Sequence, residues 1–290
     1  MIVVKLMGGL GNQLFQYAYG RALATKFKTE LILDLNFLLN RDPKNDFIFR
    51  DFDLDIFKLN EYKVFNEQLS KKFNKSSIFH KKPITFKENG FNFQPIELNK
   101  KNPKIYLDGY WQSFKYFQDV EYEIRKELIF KYPLTFEQQQ LKEKIKNATS
   151  ICINFRRTDF VTIPSATKTH GVTDLKYYMD ALKLLKQKLG NELELFVFSD
   201  DIEWCEQNFK SEFQTHFVKH ELYKGERFAS YLELMTNCKH FVIPNSTFGW
   251  WAAWLSSCEE KIIITPEQWF LDETLQAQTN DLRPVNWLKI

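Results

Sequence analysis

Short apolar runs alternate with longer amphipathic stretches along this chain. The run MIVVKLM at residues 1–7 is apolar at nearly every position, which is typical of a strand buried on both faces of a parallel sheet. A glycine turn at residues 8–11 follows, and the next pattern predicts a helix from Leu14 to about Lys26. A second strand is predicted over residues 30–39. Strand, glycine loop and helix in this order indicate an α/β sheet.

The second half of the chain repeats this alternation. Strands are predicted over residues 151–153, 193–198, 240–244 and 261–265, with helical patterns between them. Two halves of this kind predict an α/β, GT-B-like architecture, with two Rossmann-type doubly wound domains facing a cleft. The domains are expected at residues 1–135 and 136–269. The tail at residues 270–290 carries aromatic residues that need burial, and is expected to pack back on the first domain.

Composition narrows the class of protein. The 290 residues are 44% hydrophobic and 27% charged, which is typical of a globular chain. The net charge of +3 is too small to indicate a nucleic-acid partner; it suits an anionic small ligand, or peripheral association with an acidic membrane surface. The four cysteines lack metal or redox spacing, and no signal peptide or membrane-spanning run is seen. A cytoplasmic protein is therefore expected. Any association with a membrane is expected at its inner face.

Polar residues follow three of the predicted strands, where open α/β sheets bind ligands. The first cluster contains two adjacent guanidiniums, Arg156 and Arg157, which could grip a phosphate with paired hydrogen bonds. The alternative is an internal ion pair, in which Asp159 neutralises one of them. The members of the three clusters are Asn154, Arg156, Arg157 and Asp159; Ser199, Asp200 and Asp201; and Asn245, Ser246, Thr247 and Phe248.

Helix starts supply the other candidate anion contacts. Asn12 and Gln13 open the first predicted helix after the glycine turn, although neither the dinucleotide nor the phosphate-loop pattern is complete there. The alternative is a simple tight turn. Ser246 and Thr247 open a later helix, where the alternative is an ordinary helix cap.

Two further features have competing interpretations. The stretch FRDFDLDIF at residues 49–57 contains D-x-D patterns that could hold a divalent ion on a nucleotide, but its alternation of apolar and acidic residues favours a half-exposed strand. Tyr110, Trp111 and Tyr116 could stack on sugar rings or fill the core. No metal site is predicted.

Five ordered motifs resemble the inverting α-1,2-fucosyltransferases of glycosyltransferase family 11. The resemblance covers nearly the whole chain, and its third motif is similar to the family's His-x-Arg-Arg-x-Asp pattern. The motifs are GGLGNQLFQYAYGRALA (8–24), LDGYWQSFKYF (107–117), FRRTDF (155–160), FSDDIEWC (198–205) and NSTFGWWAAWL (245–255).

The resemblance implies metal-independent transfer of L-fucose from GDP-β-L-fucose to O2 of a terminal β-galactose, with inversion. GDP-L-fucose would be a substrate and no cofactor is implied. The first domain would bind the galactose-terminated glycan and the second the donor. Arg156, Asn154 and Asp159 are implied as catalytic. The implied donor contacts are Asn12, Gln13, Arg156, Ser199, Asp200, Asn245, Ser246, Thr247 and Phe248.

Two positions depart from the family pattern. Asn154 replaces the usual His and Thr158 the usual Gly. Asn cannot act as a base near neutral pH, so the group that takes the acceptor's proton is not identified. His170 is a candidate acceptor contact or a solvated loop residue. A non-catalytic nucleotide-sugar-binding module and a metal-dependent transferase using another nucleotide sugar stay open as alternatives. A bacterial source is expected, and the oligomeric state is open.

Overall fold

The structure is a computed structural model of the chain. It describes residues 1–42, 48–59, 62–75, 82–98 and 103–290, with the side chains of 159–160 and 165–166 excepted. The side chain of the predicted site residue Asp159 is therefore outside the described part.

The described residues form two compact units. The N-terminal unit comprises Met1–Lys131 with Ala277–Pro284, and the C-terminal unit comprises Tyr132–Gln276 with Val285–Ile290. Within the N-terminal unit, the main-chain oxygen of Asp281 accepts a hydrogen bond from Ser113 Oγ at 2.7 Å, and its carboxylate pairs with Lys115. The tail is thus divided between the two units.

The N-terminal unit has one fully parallel sheet in the order β3-β2-β1-β5-β4. Its strands are β1 (Ile2–Lys5), β2 (Leu31–Asp34), β3 (Lys63–Val64), β4 (Ile84–Lys87) and β5 (Ile105–Asp108). Its helices are α1 (Leu10–Lys26), α2 (Asn36–Leu39), α3 (Glu67–Asn74) and α4 (Glu121–Glu127), and 3-10 turns lie at Leu54–Ile56, Phe114–Tyr116 and Gln118–Val120.

Helices cover both faces of this sheet because β1 is apolar on both. Val3 packs with Phe73 of α3 on one face. On the other, α1 passes so close to Val4 that a Cβ on Gly20 would lie 2.3 Å from its Cγ2. Glycine is therefore required at that crossing. The predicted strand at residues 49–57 is wrong: the described residues there form a 3-10 turn at Leu54–Ile56 and a single antiparallel bridge from Phe57 to Phe130, so the alternation is not that of a pleated strand.

The C-terminal unit has a six-stranded parallel sheet in the order β11-β10-β9-β6-β7-β8. Its strands are β6 (Ser150–Phe155), β7 (Glu194–Ser199), β8 (Gln214–Phe217), β9 (His240–Val242), β10 (Ile263–Thr265) and β11 (Leu288–Lys289). Its helices are α5 (Phe136–Asn147), α6 (Thr158–Thr162), α7 (Pro164–His170), α8 (Leu175–Leu189), α9 (Ile202–Asn208), α10 (His220–Tyr223), α11 (Ala229–Thr236), α12 (Thr247–Leu255) and α13 (Glu273–Gln276), with a 3-10 turn at Glu226–Phe228.

Alternation along β6 places helices on both faces of this sheet too. Ile153 and Phe155 pack in one apolar cluster with Tyr178 and Leu185 of α8. Asn154, between them, faces the opposite side and meets α12. The predicted strands β6, β7, β9 and β10 are confirmed. Strand β8 was missed because its sequence, QTHF, is largely polar and only partly buried.

Strand order locates the ligand-binding edge of each unit. In the C-terminal unit β6, β7 and β8 run outward on one side and β9, β10 and β11 on the other, so the order reverses between β6 and β9. In the N-terminal unit β1 and β5 are central neighbours, so the loops that follow them lie side by side at the carboxyl edge of the sheet. Ligands of open α/β sheets bind beyond the carboxyl ends of the strands at such a switch point. No helix in the described ranges is long and apolar enough to cross a membrane.

Candidate functional site

The paired arginines lie just beyond the carboxyl end of β6, beside the switch point of the C-terminal unit. Arg156 Nη1 is 2.8 Å from Asp200 Oδ2, which follows the neighbouring strand β7. The Arg156 side chain keeps 26% of its surface exposed. This ion pair therefore fixes a guanidinium at the switch point while leaving part of it open to a ligand.

Asp200 also organises the turn that carries the arginines. Its Oδ1 accepts the Arg157 main-chain N–H at 2.8 Å, and its Oδ2 accepts the Thr158 N–H at 3.2 Å and the Thr158 hydroxyl at 2.5 Å. Asp200 was predicted to contact the donor directly. Its oxygens are committed to residues 156–158, so Asp200 positions Arg156 and the turn that carries it.

Arg157 is held differently from its neighbour. Its guanidinium lies 3.4 Å from the centre of the Trp204 ring, and its Nε is 3.4 Å from Asp201 Oδ2. Asp201 in turn caps α9 by accepting the Trp204 N–H at 3.2 Å. Stacking and pairing occupy Arg157 within the protein, so Arg156 is the better candidate for the phosphate contact.

Asn154 is buried in the packing between β6 and α12. Its Nδ2 donates to the Phe198 carbonyl at 3.1 Å, and only 6% of the residue is exposed. A Cβ added to Gly249, in the first turn of α12, would lie 2.6 Å from Asn154 Oδ1. This contact places the start of α12 next to the strand that ends at the arginines.

The start of α12 presents the next predicted residues. Ser246 is the N-cap residue, yet its side chain makes no capping hydrogen bond. The cap interpretation of Ser246 is therefore wrong. Asn245 is buried, donating from Nδ2 to the carbonyls of His170 at 2.8 Å and Trp269 at 3.0 Å. Thr247 and Phe248, the first residues of the helix, are only partly buried.

His170 is brought to the site by tertiary structure. It ends α7, and its ring packs against Phe270 with centroids 5.2 Å apart. Burial, and secondarily the positive charge of Arg156, lower its pKa to about 4. The interpretation as a solvated loop residue is wrong: His170 is a neutral imidazole close to Arg156.

Ser199 holds the turn after β7 that contains Asp200 and Asp201. It is 1% exposed, and its Oγ accepts the Asp201 N–H at 2.9 Å. Its own N–H donates to the hydroxyl of Tyr231 at 2.9 Å. Tyr231 was not found from the sequence, because an aromatic residue in an amphipathic helix carries no signal of a polar role.

Asn12 and Gln13 lie in the N-terminal unit, in the first turn of α1 just beyond the carboxyl end of β1. Gln13 is fully buried, donating to the carbonyls of Gly8 at 2.9 Å and Asp51 at 2.8 Å and accepting from the Asp53 N–H at 3.0 Å. It thus fixes the loops around the helix start. Asn12 Oδ1 accepts from Gln112 Nε2 at 3.0 Å, which joins the loops after β1 and β5.

Within the residues described, no group of three or more His, Cys, Asp or Glu side chains is placed to hold a metal ion. The guanidinium of Arg156 lies at the end of β6, and the start of α12 packs against the same strand through Gly249 and Asn154. Guanidinium and helix N-terminus both favour an anion such as a diphosphate.

Comparison with protein families and characterised relatives agrees with this chemistry. The model of glycosyl transferase family 11 matches residues 1–290. An alpha-1,2-colitosyltransferase of Escherichia coli is 31% identical over 100% of this chain and 99% of its own length. The O-antigen biosynthesis glycosyltransferase WbnK of Escherichia coli is 30% identical over 98% of this chain and 99% of its own. A rabbit (Oryctolagus cuniculus) galactoside alpha-(1,2)-fucosyltransferase 1 is 27% identical over 65% of this chain and 55% of its own.

Solved structures share the fold. The fucosyltransferase NodZ from Bradyrhizobium matches with a TM-score of 0.50 at 13% identity, over 87% of this chain and 91% of its own. A variant of Arabidopsis thaliana FUT1 in complex with GDP has a TM-score of 0.50 at 13% identity, over 90% of this chain and 69% of its own. The predicted class, α/β and GT-B-like with two Rossmann-type units, is confirmed.

Proposed function

Because the chain belongs to glycosyltransferase family 11, we propose that this glycosyltransferase moves L-fucose from GDP-β-L-fucose to O2 of a terminal β-galactose, with inversion. Support comes from the relatives named as galactoside α-1,2-fucosyltransferases and from the anion-binding geometry of the C-terminal unit. Neither a cofactor nor a metal is assigned to the reaction.

The observation that carries the proposal is the Arg156–Asp200 pair at the switch point. In glycosyl transfer the bond from the sugar's anomeric carbon to GDP breaks, and negative charge grows on the β-phosphate. A guanidinium held in place beforehand stabilises that charge most strongly in the transition state. Asp200, 2.8 Å away, holds the Arg156 guanidinium in place, and the Arg156 side chain keeps 26% of its surface exposed.

The remaining site residues have two proposed roles: some contact the diphosphate, and others hold the loops that carry those contacts. The Ser246 hydroxyl makes no capping hydrogen bond to α12. Ser246 and Thr247, at the start of this helix, are proposed to donate to the diphosphate, and Phe248 is proposed to lie beside the diphosphate. Asn154 is proposed to orient the start of α12 through its contact with Gly249. Ser199, Asp200 and Asn245 support the loops, as their hydrogen bonds require.

A second candidate is transfer of colitose. The E. coli α-1,2-colitosyltransferase is 31% identical over this whole chain. Colitose differs from L-fucose by lacking the 3-hydroxyl, so the two donors place the same phosphates and anomeric carbon in the site. A site built to hydrogen-bond that hydroxyl rejects the analogue that lacks it. The two donors would therefore react by the same mechanism and differ only in how the site binds the sugar.

The test uses the purified full chain with GDP-fucose and lactose, measuring released GDP and fucosylated product together. GDP-colitose and added chelator form parallel arms. We expect Arg156→Lys to lower turnover by about 10²–10³-fold, since Lys keeps the charge but not the fork. The matched control is Arg125→Lys, on a surface helix of the N-terminal unit.

Three outcomes would contradict this proposal. Turnover of Arg156→Lys within threefold of wild type would remove the residue from the mechanism. GDP binding without transfer from either nucleotide sugar would favour the inert binding module. Loss of activity in chelator, restored by a divalent ion, would favour a metal-dependent transferase.

A further inference from the structure

An exposed aromatic side chain, Phe228, lies beyond the carboxyl end of β8 in the C-terminal unit. Phe228 is 43% exposed, whereas Trp111 and Tyr116 of the N-terminal unit are 2% and 5% exposed and therefore fill the core. The Phe228 ring lies 5.3 Å from the ring of His220, which begins α10 shortly after β8. Phe228 therefore belongs to the same edge of the sheet as Arg156.

The backbone that carries Phe228 has an uncommon conformation. Gly225, Arg227 and Phe228 have φ values of +63°, +44° and +63°, which lie in the left-handed region. Glycine adopts this region readily, but a bulky side chain rarely does, and residues held there cluster at ligand-binding sites. Among the exposed aromatic residues that the structure describes, Phe228 alone has a positive φ. The strain therefore singles out this ring as a candidate for a functional role.

Tyr231 connects the exposed ring to the turn that positions Arg156. The centres of the Phe228 and Tyr231 rings are 6.2 Å apart. The Tyr231 hydroxyl accepts the Ser199 N–H at 2.9 Å. Ser199 directly precedes Asp200, whose carboxylate is 2.8 Å from Arg156 Nη1. The exposed ring and the phosphate candidate are therefore held by one network within the C-terminal unit.

Phe228 lies on the face of the sheet that α12 covers. Asn154 of β6, which meets α12 at Gly249, is in register with Phe198 of β7, so these two side chains share a face. The Phe198 ring packs edge-on against the Tyr231 ring, with centres 5.0 Å apart. Because Tyr231 also contacts Phe228, the exposed ring and the start of α12 lie on the same side of the sheet.

The strand order sets the separation between the two candidate contacts. Strands β6, β7 and β8 are consecutive neighbours in the sheet. Neighbouring strands lie about 4.8 Å apart, so the carboxyl ends of β6 and β8 are about 10 Å apart. This separation is comparable to the span of an extended nucleoside diphosphate from its base to its terminal phosphate. The base is flat and aromatic, and such a surface stacks on an accessible aromatic ring.

We propose that Phe228 stacks on the base of a nucleoside diphosphate whose phosphates bind at Arg156. This inference rests on the proposed function and deepens it by assigning a residue that binds the base of the donor. His220 and Tyr231 are positioning residues, because both contact the Phe228 ring edge-on and pack against each other. Stacking tolerates any base, so Phe228 contributes affinity and does not select guanine.

The principal test measures GDP binding by calorimetry in Phe228→Ala and in Phe136→Ala, the same change at a 73% exposed phenylalanine that begins α5. Phe228→Ala should weaken GDP binding by about 5–150-fold, the fold-change for the roughly 1–3 kcal/mol that stacking of one base contributes. Phe136→Ala should bind GDP like wild type. Inorganic pyrophosphate, titrated as a competitor of GDP, should bind both variants within twofold of wild type, because it has no base.

Two results of this test would overturn the proposal. In the first, Phe228→Ala binds GDP within twofold of wild type. In the second, Phe228→Ala loses GDP and pyrophosphate affinity equally, which would show that the substitution disturbs the phosphate contacts and not a base contact.

Phe228→Gly separates the ring from the strained backbone, and it supplies the measurement if Phe228→Ala fails to fold. Glycine adopts a φ of +63° without the strain that alanine meets there. Phe228→Gly should therefore have a higher Tm than Phe228→Ala but lose GDP affinity to the same extent. Wild-type GDP affinity in Phe228→Gly would overturn the proposal, because the ring would then not be needed.

A pair of larger side chains tests stacking against simple apolar contact. Phe228→Tyr keeps the flat ring and should bind GDP within threefold of wild type, whereas Phe228→Leu keeps apolar bulk without a flat face and should bind as weakly as Phe228→Ala. Equal GDP affinities in the tyrosine and leucine variants would overturn stacking. Failure of the proposed function is distinguishable, because wild type would then transfer neither sugar, whatever the Phe228 variants do to GDP binding.

Discussion

Asp200→Asn tests whether the site depends on a carboxylate that does not itself face the ligand. The substitution keeps the shape but replaces one oxygen by an NH₂ group. If the amide oxygen stays on the Arg157 N–H, the NH₂ group faces Arg156 Nη1 and the N–H of Thr158, which are also donors. Two hydrogen bonds to a charged acceptor are then lost.

The magnitude follows from these contacts. A hydrogen bond to a charged group contributes about 1.5–3 kcal/mol, so two suggest at most about 6 kcal/mol. Thr158 is exposed and the paired side chains of Arg156 and Asp200 are 26% and 20% exposed, so water replaces part of the loss. We expect a loss of about 2 kcal/mol in the free energy of unfolding. For a unit of this size that lowers Tm by about 4–8 °C.

The assay is thermal unfolding by circular dichroism together with GDP affinity by calorimetry. Asp201→Asn is the matched control, because Asn caps a helix as well as Asp and the Arg157 contact is long, at 3.4 Å. In Asp200→Asn, GDP affinity should fall with Tm, and adding Arg156→Lys should cost less than in the wild-type background. A Tm within 1 °C of wild type with unchanged GDP affinity would refute the reasoning. So would additive effects in the double variant.

Three other predictions follow from the same site. Ser246→Ala should weaken GDP binding with little change in Tm, because its side chain makes no cap bond; a lower Tm at unchanged GDP affinity would return it to a structural role. Gly249→Ala should destabilise by about 1–3 kcal/mol, because the new Cβ meets Asn154 Oδ1 at 2.6 Å and this outweighs a gain of about 1 kcal/mol in helix propensity; a raised Tm would contradict this. Arg156→Gln should raise the pKa of His170 from about 4, as measured by NMR titration. The pKa should stay below 6.5, because burial is the larger cause of its lowering. An unchanged pKa would show that the charge of Arg156 does not act on His170. Because the folded protein favours neutral His170, this residue's contribution to stability is lost as pH falls from about 6.5 towards 4.

Apolar periodicity predicted the buried central strands of both sheets. The strand at the amino terminus and strands β6, β7, β9 and β10 are short apolar runs, and burial on both faces of a parallel sheet demands that composition. Where an element is polar, as in β8, or lies in the Lys-rich segment, as in β4, the pattern fails because pairing with neighbours, not composition, makes it a strand. The stretch at residues 49–57 failed for the converse reason: alternation alone does not supply a partner strand.

The motifs of the site could be predicted from the sequence, because the carboxyl ends of parallel strands lie at the same edge of a sheet, and ligands bind there. Which side chain faces a ligand and which supports it was decided by tertiary contacts. Arg156 and Arg157 are adjacent in sequence, yet one pairs with Asp200 and the other stacks on Trp204.

Burial and distant neighbours decide the remaining chemistry. Glu88 lies in a Lys- and Asn-rich stretch, where nothing in the sequence indicates that burial raises the pKa of its carboxyl to about 7. The cause is desolvation by residues far along the chain. The same holds for His170, whose low pKa needs both burial and a guanidinium that the fold brings beside it. The sequence by itself determined the central strands of the two parallel sheets and the residue types that follow them, through the apolar runs that burial on both faces requires. Tertiary structure alone decided desolvation, charge proximity and the partner of each polar group, because these depend on residues that the chain keeps far apart.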